Sequence, residues 1–138
     1  MARPDLTSRD DVITLVDAFY EQIRADPTLG PIFEDRIGTT WPSHLATMYD
    51  FWESILFRTG SYRGNPPKKH LAVHQEHVLS GDHFDRWIAL FDQTLIKHFD
   101  GPTAIFASRA AADIARVLRR KLGVDGADPN ELKFSTTQ

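Results

Sequence analysis

Apolar residues recur at helical spacing along nearly the whole chain, and no strand-like alternation lasts more than a few residues. Val12, Leu15, Val16, Phe19, Tyr20 and Ile23 stand at successive offsets of 3, 4, 7, 8 and 11 from the first, which is one face of a helix. Thr7 and Ser8 offer an N-cap with Asp10 and Asp11 in the first turn, and Asp26-Pro27 closes this helix. Gly30-Pro31-Ile32-Phe33 then turns the chain through a short helix or 3₁₀ turn and delivers an aromatic residue. A second long helix is expected from Trp41-Pro42, where proline suits the first turn. Its stripe of Trp41, His44, Leu45, Met48, Phe51, Trp52, Ile55 and Leu56 is wide enough to face a core or a large buried ligand.

The second half continues the rhythm. After a Gly-, Ser- and Asn-rich loop, a shorter helix is expected from Pro66 to about Val78, broken at Ser80-Gly81. A third long helix opens at Ser80 or Asp82 and carries Phe84, Trp87, Ile88, Phe91, Leu95 and Phe99. Asp100-Gly101-Pro102 is a turn and restart. The last helix presents Ile105, Phe106, Ala110, Ile114, Val117, Leu118 and Leu122 and ends at Gly123; its alanines suit close packing against a neighbour. The pattern predicts an all-α fold, one domain over residues 1–123 and a flexible tail over 124–138.

Composition narrows the chemistry. A formal net charge of −3 over 138 residues gives no electrostatic reason to expect nucleic acid. The short basic clusters, Lys68-Lys69 and Arg116 to Lys121, read as solvated helix faces. With no cysteine, disulfides, iron–sulfur clusters and thiolate zinc sites are excluded, so a metal must rest on histidine and carboxylates or sit inside a cofactor. There is no charged-then-apolar leader and no apolar run of about twenty residues, so a cytoplasmic protein with no membrane partner is expected.

Six histidines remain to be explained. His70 follows a loop and a Pro66-Pro67 helix start, which sets an imidazole in the first helical turns, and neutral imidazole is a good ligand for iron, zinc or copper. His70, His74 and His77 lie at i, i+4 and i+7, so a non-haem metal site on one helix is one reading. Against it, no general-base glutamate sits in the usual place between the first pair, and His74 and His77 read equally well as surface residues. A second constellation is dispersed: Tyr20, His44 and Trp87 each lie on the apolar face of a different helix. Each alone reads as a core residue making one hydrogen bond, but burying a phenol, an imidazole and an indole together costs free energy unless their tips find partners. A haem would provide such a setting, since its iron takes one histidine and leaves the opposite position open. Phe33, Met48, Phe51, Ile55 and Phe91 could line the apolar slot that a porphyrin requires.

These residues also carry a resemblance. Phe19-Tyr20, Leu29-Gly30-Pro31-Ile32-Phe33, Trp41-Pro42-Ser43-His44, Phe51-Trp52, Lys68-Lys69-His70-Leu71 and His83 to Phe91 follow one another in an order and spacing similar to those of group III truncated haemoglobins. The likeness runs from about Asp11 to Gly123. It implies a truncated globin, a two-over-two helical sandwich that binds haem b. It further implies His70 as the proximal iron ligand, Tyr20, His44 and Trp87 as distal groups, and Phe33 against the porphyrin plane. Arg63, Lys68 and Lys69 lie near the proximal helix and are candidates for pairing with haem propionates, with solvated side chains as the alternative. The paired glycines of other truncated globins are absent here, where only lone glycines such as Gly30 and Gly38 occur, in keeping with the subgroup.

The function expected is binding of O₂ and other small diatomic ligands at ferrous iron, in a monomer or weak dimer served by an unknown reductase. The rival is a haem enzyme for peroxide turnover or nitric oxide dioxygenation, since three polar distal groups could stabilise charge developing on oxygen. A non-haem histidine-metal helical protein is the third reading.

Overall fold

The first long helix, α1 (Arg9–Ala25), buries Val12, Leu15, Val16, Phe19, Tyr20 and Ile23, the stripe read from the spacing. This is a computed structural model, and it describes residues 3–60 and 79–122. The cap of α1 works backwards from the expected direction. The Ser8 side chain makes no cap bond; instead the Asp11 carboxylate reaches back to accept from the Thr7 backbone N–H at 2.8 Å.

Asp26 ends α1 and starts the next helix. Its carboxylate accepts from the Thr28 and Leu29 backbone N–H groups at 3.0 and 2.8 Å, covering the open N-terminus of α2 (Leu29–Ile37). Gly30 is needed at this corner, because a Cβ there would stand 2.7 Å from the Arg24 carbonyl oxygen. A 3₁₀ turn at Gly38–Thr40 leads into α3 (Trp41–Phe57), with Pro42 in its first turn as expected.

Beyond the loop, Ser80 is the N-cap of α4 (Gly81–His98). Its hydroxyl accepts from the His83 N–H while His83 Nδ1 accepts from the Ser80 N–H at 3.0 Å, a capping box with imidazole in the role usually taken by glutamate. The last helix, α5 (Pro102–Lys121), begins after Gly101, whose φ of 141° is open to glycine but strained for other residues. Asp5 caps α5 from the other end of the chain, accepting from the Thr103 and Ala104 N–H groups at 3.0 and 2.9 Å. The Asp100 N–H donates to the Pro4 carbonyl beside it, so the segment before α1 is tied to the α4–α5 turn.

The helices pack as two pairs. α1 lies on α3, α4 lies on α5, and the pairs meet mainly through α1 on α4, with α3 on α5 as the smaller contact. Phe19 and Phe91 lie fully buried where the pairs meet, with Trp52 beside them. A smaller core of Phe84, Ala115, Leu118 and Leu122 closes the far end of α4 and α5.

The face expected for the last helix needs correction. Ile105, Phe106 and Val117 are exposed, and the buried stripe is Ala104, Ala107, Ala111, Ala115 and Leu118. Small side chains let α5 approach α4 closely, and that outweighs the burial of larger groups on the adjacent face. The helix expected over residues 66–78 and the tail expected over 124–138 lie outside the described residues. No described helix is long and apolar enough to cross a membrane.

Candidate functional site

Tyr20 stands in the middle of an aromatic enclosure. It projects from α1 on the buried face and is 6% exposed. Its ring meets His44 edge-on at 5.1 Å between centroids, Trp41 at 5.7 Å, Phe33 at 6.1 Å and its neighbour Phe19 at 5.0 Å. Trp41 and His44 share one face of α3 at i, i+3 and meet each other edge-on at 5.8 Å. Three helices therefore deliver Tyr20, Phe33 and His44 to one place.

Trp87 stands one ring further along. It meets Phe19 edge-on at 5.5 Å and lies parallel to Phe91 at 5.9 Å. Phe91 in turn stacks on Trp52 at 4.8 Å and meets Phe19 at 5.2 Å. Of the three dispersed polar aromatics, Tyr20 and His44 are thus in direct contact, and Phe19 separates them from Trp87.

Electrostatics distinguish the members. Burial pushes the Tyr20 phenol well above its ordinary pKa, and no hydrogen bond contributes to that shift. Its hydroxyl makes no hydrogen bond among the described residues. His44 is held by further interactions as a residue, while its Nε2 atom is buried and makes no hydrogen bond among the described residues. Outside them, the Trp41 Nε1–H donates to Glu34 at 3.3 Å, and Arg24 lies 4.5 Å over the Trp41 ring. Arg24 also donates to Glu34 at 2.6 Å and holds that carboxyl below its ordinary range, against some burial and with help from the indole. A cleft of about 520 Å³ opens between α1 and α3, with Tyr20 and Trp41 in its lining beside Asp17, Glu21, Arg24 and Leu45.

Phe33 and the α3 residues Met48, Phe51 and Ile55 are half-buried and pack against the main core. Ile55 also lines a shallow groove with Leu56, Arg58 and Phe106. Phe91 is fully buried between Trp52 and Trp87. His70, Arg63, Lys68, Lys69, His74 and His77 lie outside the described residues. Among the described residues, no three His, Asp or Glu side chains gather to hold a metal ion.

No family profile matches the chain. A group 3 truncated haemoglobin of Campylobacter jejuni is 36% identical over 91 residues, spanning 64% of this chain and 69% of that protein. The crystal structure of a group III truncated haemoglobin from Campylobacter jejuni superposes with a TM-score of 0.79 at 30% identity, covering 87% of this chain and 94% of that one.

The chain belongs to the group 3 truncated haemoglobins.

For a truncated haemoglobin, the two helix pairs are the fold that the resemblance implied. Membership also implies haem as cofactor, and the chemistry of the enclosure fits one. Tyr20 is a buried residue whose hydroxyl makes no hydrogen bond among the described residues and so has room for a polar partner, and the α3 stripe beside it stays half-covered at Met48, Phe51 and Ile55. The sequence reading did not select Trp41 or Phe19 as site residues. The signal was present: Trp41 lies at i, i+3 from His44, and Phe19 is adjacent to Tyr20 on the buried face. The Asp26–Arg86 pair was missed as well, since nothing in the local pattern links residues 60 positions apart.

Proposed function

We propose that this truncated haemoglobin holds haem b through His70 and binds O₂ and other small diatomic ligands on the side lined by Tyr20, His44 and Trp87. When bound, haem would supply a ferrous iron able to take a diatomic ligand. The observation that carries the reading is Tyr20, a buried residue whose ring meets His44 edge-on and whose hydroxyl makes no hydrogen bond among the described residues. A phenol is protonated at neutral pH, and burial raises its pKa further, so Tyr20 can act as a donor. Phe19, Phe33, Trp41 and His44 surround its ring, and a hydrogen bond made beside such apolar walls is stronger than one made in open water.

His44 offers a second polar group on the same side, able to donate or accept according to its tautomer. The Trp87 indole can only donate, and its place beside Phe19 suits a longer reach or a ligand lying toward α4. Phe33, Met48, Phe51, Ile55 and Phe91 supply the apolar slot, and Arg63, Lys68 and Lys69 would meet the propionates. His70 would hold the iron.

Absorption spectra of the haem-loaded ferric, ferrous and O₂-exposed protein test the reading. We expect a Soret band that shifts on O₂ exposure, and loss of the normal five-coordinate ferrous spectrum in His70→Ala. An unchanged spectrum in that variant removes His70 from the iron.

A further inference from the structure

We propose that Trp41 is a positioning residue for the distal group, and that the surface Arg24–Glu34 ion pair sets, through it, how Tyr20 and His44 present their polar atoms to a ligand. This deepens the haem reading and rests on it. Trp41 is 6% exposed and opens α3. Tyr20, Trp41 and His44 form a triangle in which every side is an edge-on ring contact, between 5.1 and 5.8 Å. A tilt of the indole toward either ring displaces it, and the side facing the α1–α3 cleft is open, so the indole needs another restraint to stay in place.

What fixes the indole lies outside the enclosure. Its Nε1–H donates to one oxygen of Glu34 at 3.3 Å, while Arg24 takes the other oxygen at 2.6 Å and lies 4.5 Å over the indole face. Glu34 is the hydrogen-bond partner of this indole among the described residues. The two ionic side chains are 49% and 43% exposed, so the pair adds little to stability and is open to screening by salt. Orientation of the distal donors and stability of the fold are therefore separable at this corner.

The test uses the full chain loaded with haem and carbon monoxide as the probe. The infrared C–O stretch reports the polar groups facing the ligand, and urea unfolding reports stability. Trp41→Phe keeps a ring but removes the Nε1 donor; Glu34→Ala removes the anchor from the surface. Both should move or split the C–O band in the same direction, and Trp41→Phe should release carbon monoxide about three- to tenfold faster, the range set by misplacing one hydrogen bond. Raising salt from about 0.01 to about 1 M should move the wild-type band the same way and leave Glu34→Ala unmoved. Should Trp41→Phe fail to fold, Glu34→Ala and the salt series decide.

A band unmoved by Glu34→Ala and by salt overturns the proposal, whatever happens to stability. So does a change confined to the association rate, which would assign Trp41 to ligand entry through the α1–α3 cleft. Absence of any C–O band in the wild type overturns the haem reading itself, and is distinguishable because haem-loaded protein with a normal band but no response overturns only the role of Trp41.

Discussion

Tyr20 and Asp26 lie six residues apart at one end of the same helix and are equally buried, each 6% exposed, yet their polar atoms are treated in opposite ways. The Asp26 carboxylate takes three donors: the backbone N–H groups of Thr28 and Leu29, and the Arg86 guanidinium at 2.5 Å. Burial pushes its pKa up, but these hydrogen bonds and the Arg86 charge outweigh it and hold the carboxyl below its ordinary value. The Tyr20 ring is surrounded by Phe19, Phe33, Trp41 and His44, and its hydroxyl makes no hydrogen bond among the described residues. A buried polar group with all its partners joins elements of the fold: here α1, α2 and α4 meet at one carboxylate. One that joins nothing within the described fold can be removed at little cost to it.

The comparison is broken most sharply by deleting each group in turn. Asp26→Ala should lower unfolding stability by about 2–3 kcal/mol, since it removes a helix cap and a charge-assisted bond while Arg86 keeps solvent on its exposed side. Tyr20→Phe should change stability by less than about 1 kcal/mol in either direction, because no hydrogen bond within the described fold is lost. Urea unfolding of the two variants side by side measures the difference; equal losses would mean that Tyr20 is structural.

Next in size is a second site of the Asp26 kind, where Asp5 caps α5. At Gly101, φ is 141° and an added Cβ would stand 2.6 Å from the Asp5 carboxyl carbon, so Gly101→Ala should cost about 1–3 kcal/mol through strain and loss of the α5 cap. Asp5→Ala, which removes the cap but leaves the backbone alone, should cost about 1 kcal/mol. If thermal unfolding shows the Asp5 change to be the larger, the strain at Gly101 is being relieved some other way.

The smallest effect is on the pH profile, where the two kinds of group act at opposite ends. Asp5 and Asp26 have depressed pKa values in the fold, so their stabilisation is complete above the unfolded carboxylate value of about 3.9 and is lost as pH falls through their folded values. Tyr20 has a raised value, so its contribution is complete below the unfolded phenol value of about 10 and is lost as pH rises above it. Tyr49, pushed up to about 12 by burial and by its hydrogen bond to Asp17, adds to the same alkaline limb. Stability curves against pH should therefore keep their acid limb in Tyr20→Phe and lose part of the alkaline one. An alkaline limb of full size in that variant would place its origin elsewhere.

How far the sequence showed this depends on the range of the interaction. The α1 stripe, the Asp26-Pro27 stop, the Ser80 cap and the Gly101-Pro102 restart are local, and periodicity and capping rules reached them. The direction of the α1 cap was not legible, since Ser8 and Asp11 both suit the role and geometry chose Asp11. For α5, apolar size pointed to Ile105, Phe106 and Val117, whereas close helix approach selected the alanines one position round. Asp5 on α5 and Asp26 on Arg86 were invisible because they join residues 98 and 60 positions apart through side chains that read as ordinary surface acids. At the site, Tyr20 and His44 could be placed on buried faces from spacing alone. Their contact, and the interposition of Phe19 before Trp87, depend on how α1, α3 and α4 cross.

The central claim is that the Tyr20 hydroxyl is kept for a ligand rather than for the fold. Stopped-flow measurement of O₂ release from the haem-loaded protein and its Tyr20→Phe variant tests it most directly. We expect release at least about tenfold faster in the variant, the equivalent of one hydrogen bond to a bound ligand, with stability nearly unchanged. Equal release rates in two equally stable proteins would contradict it.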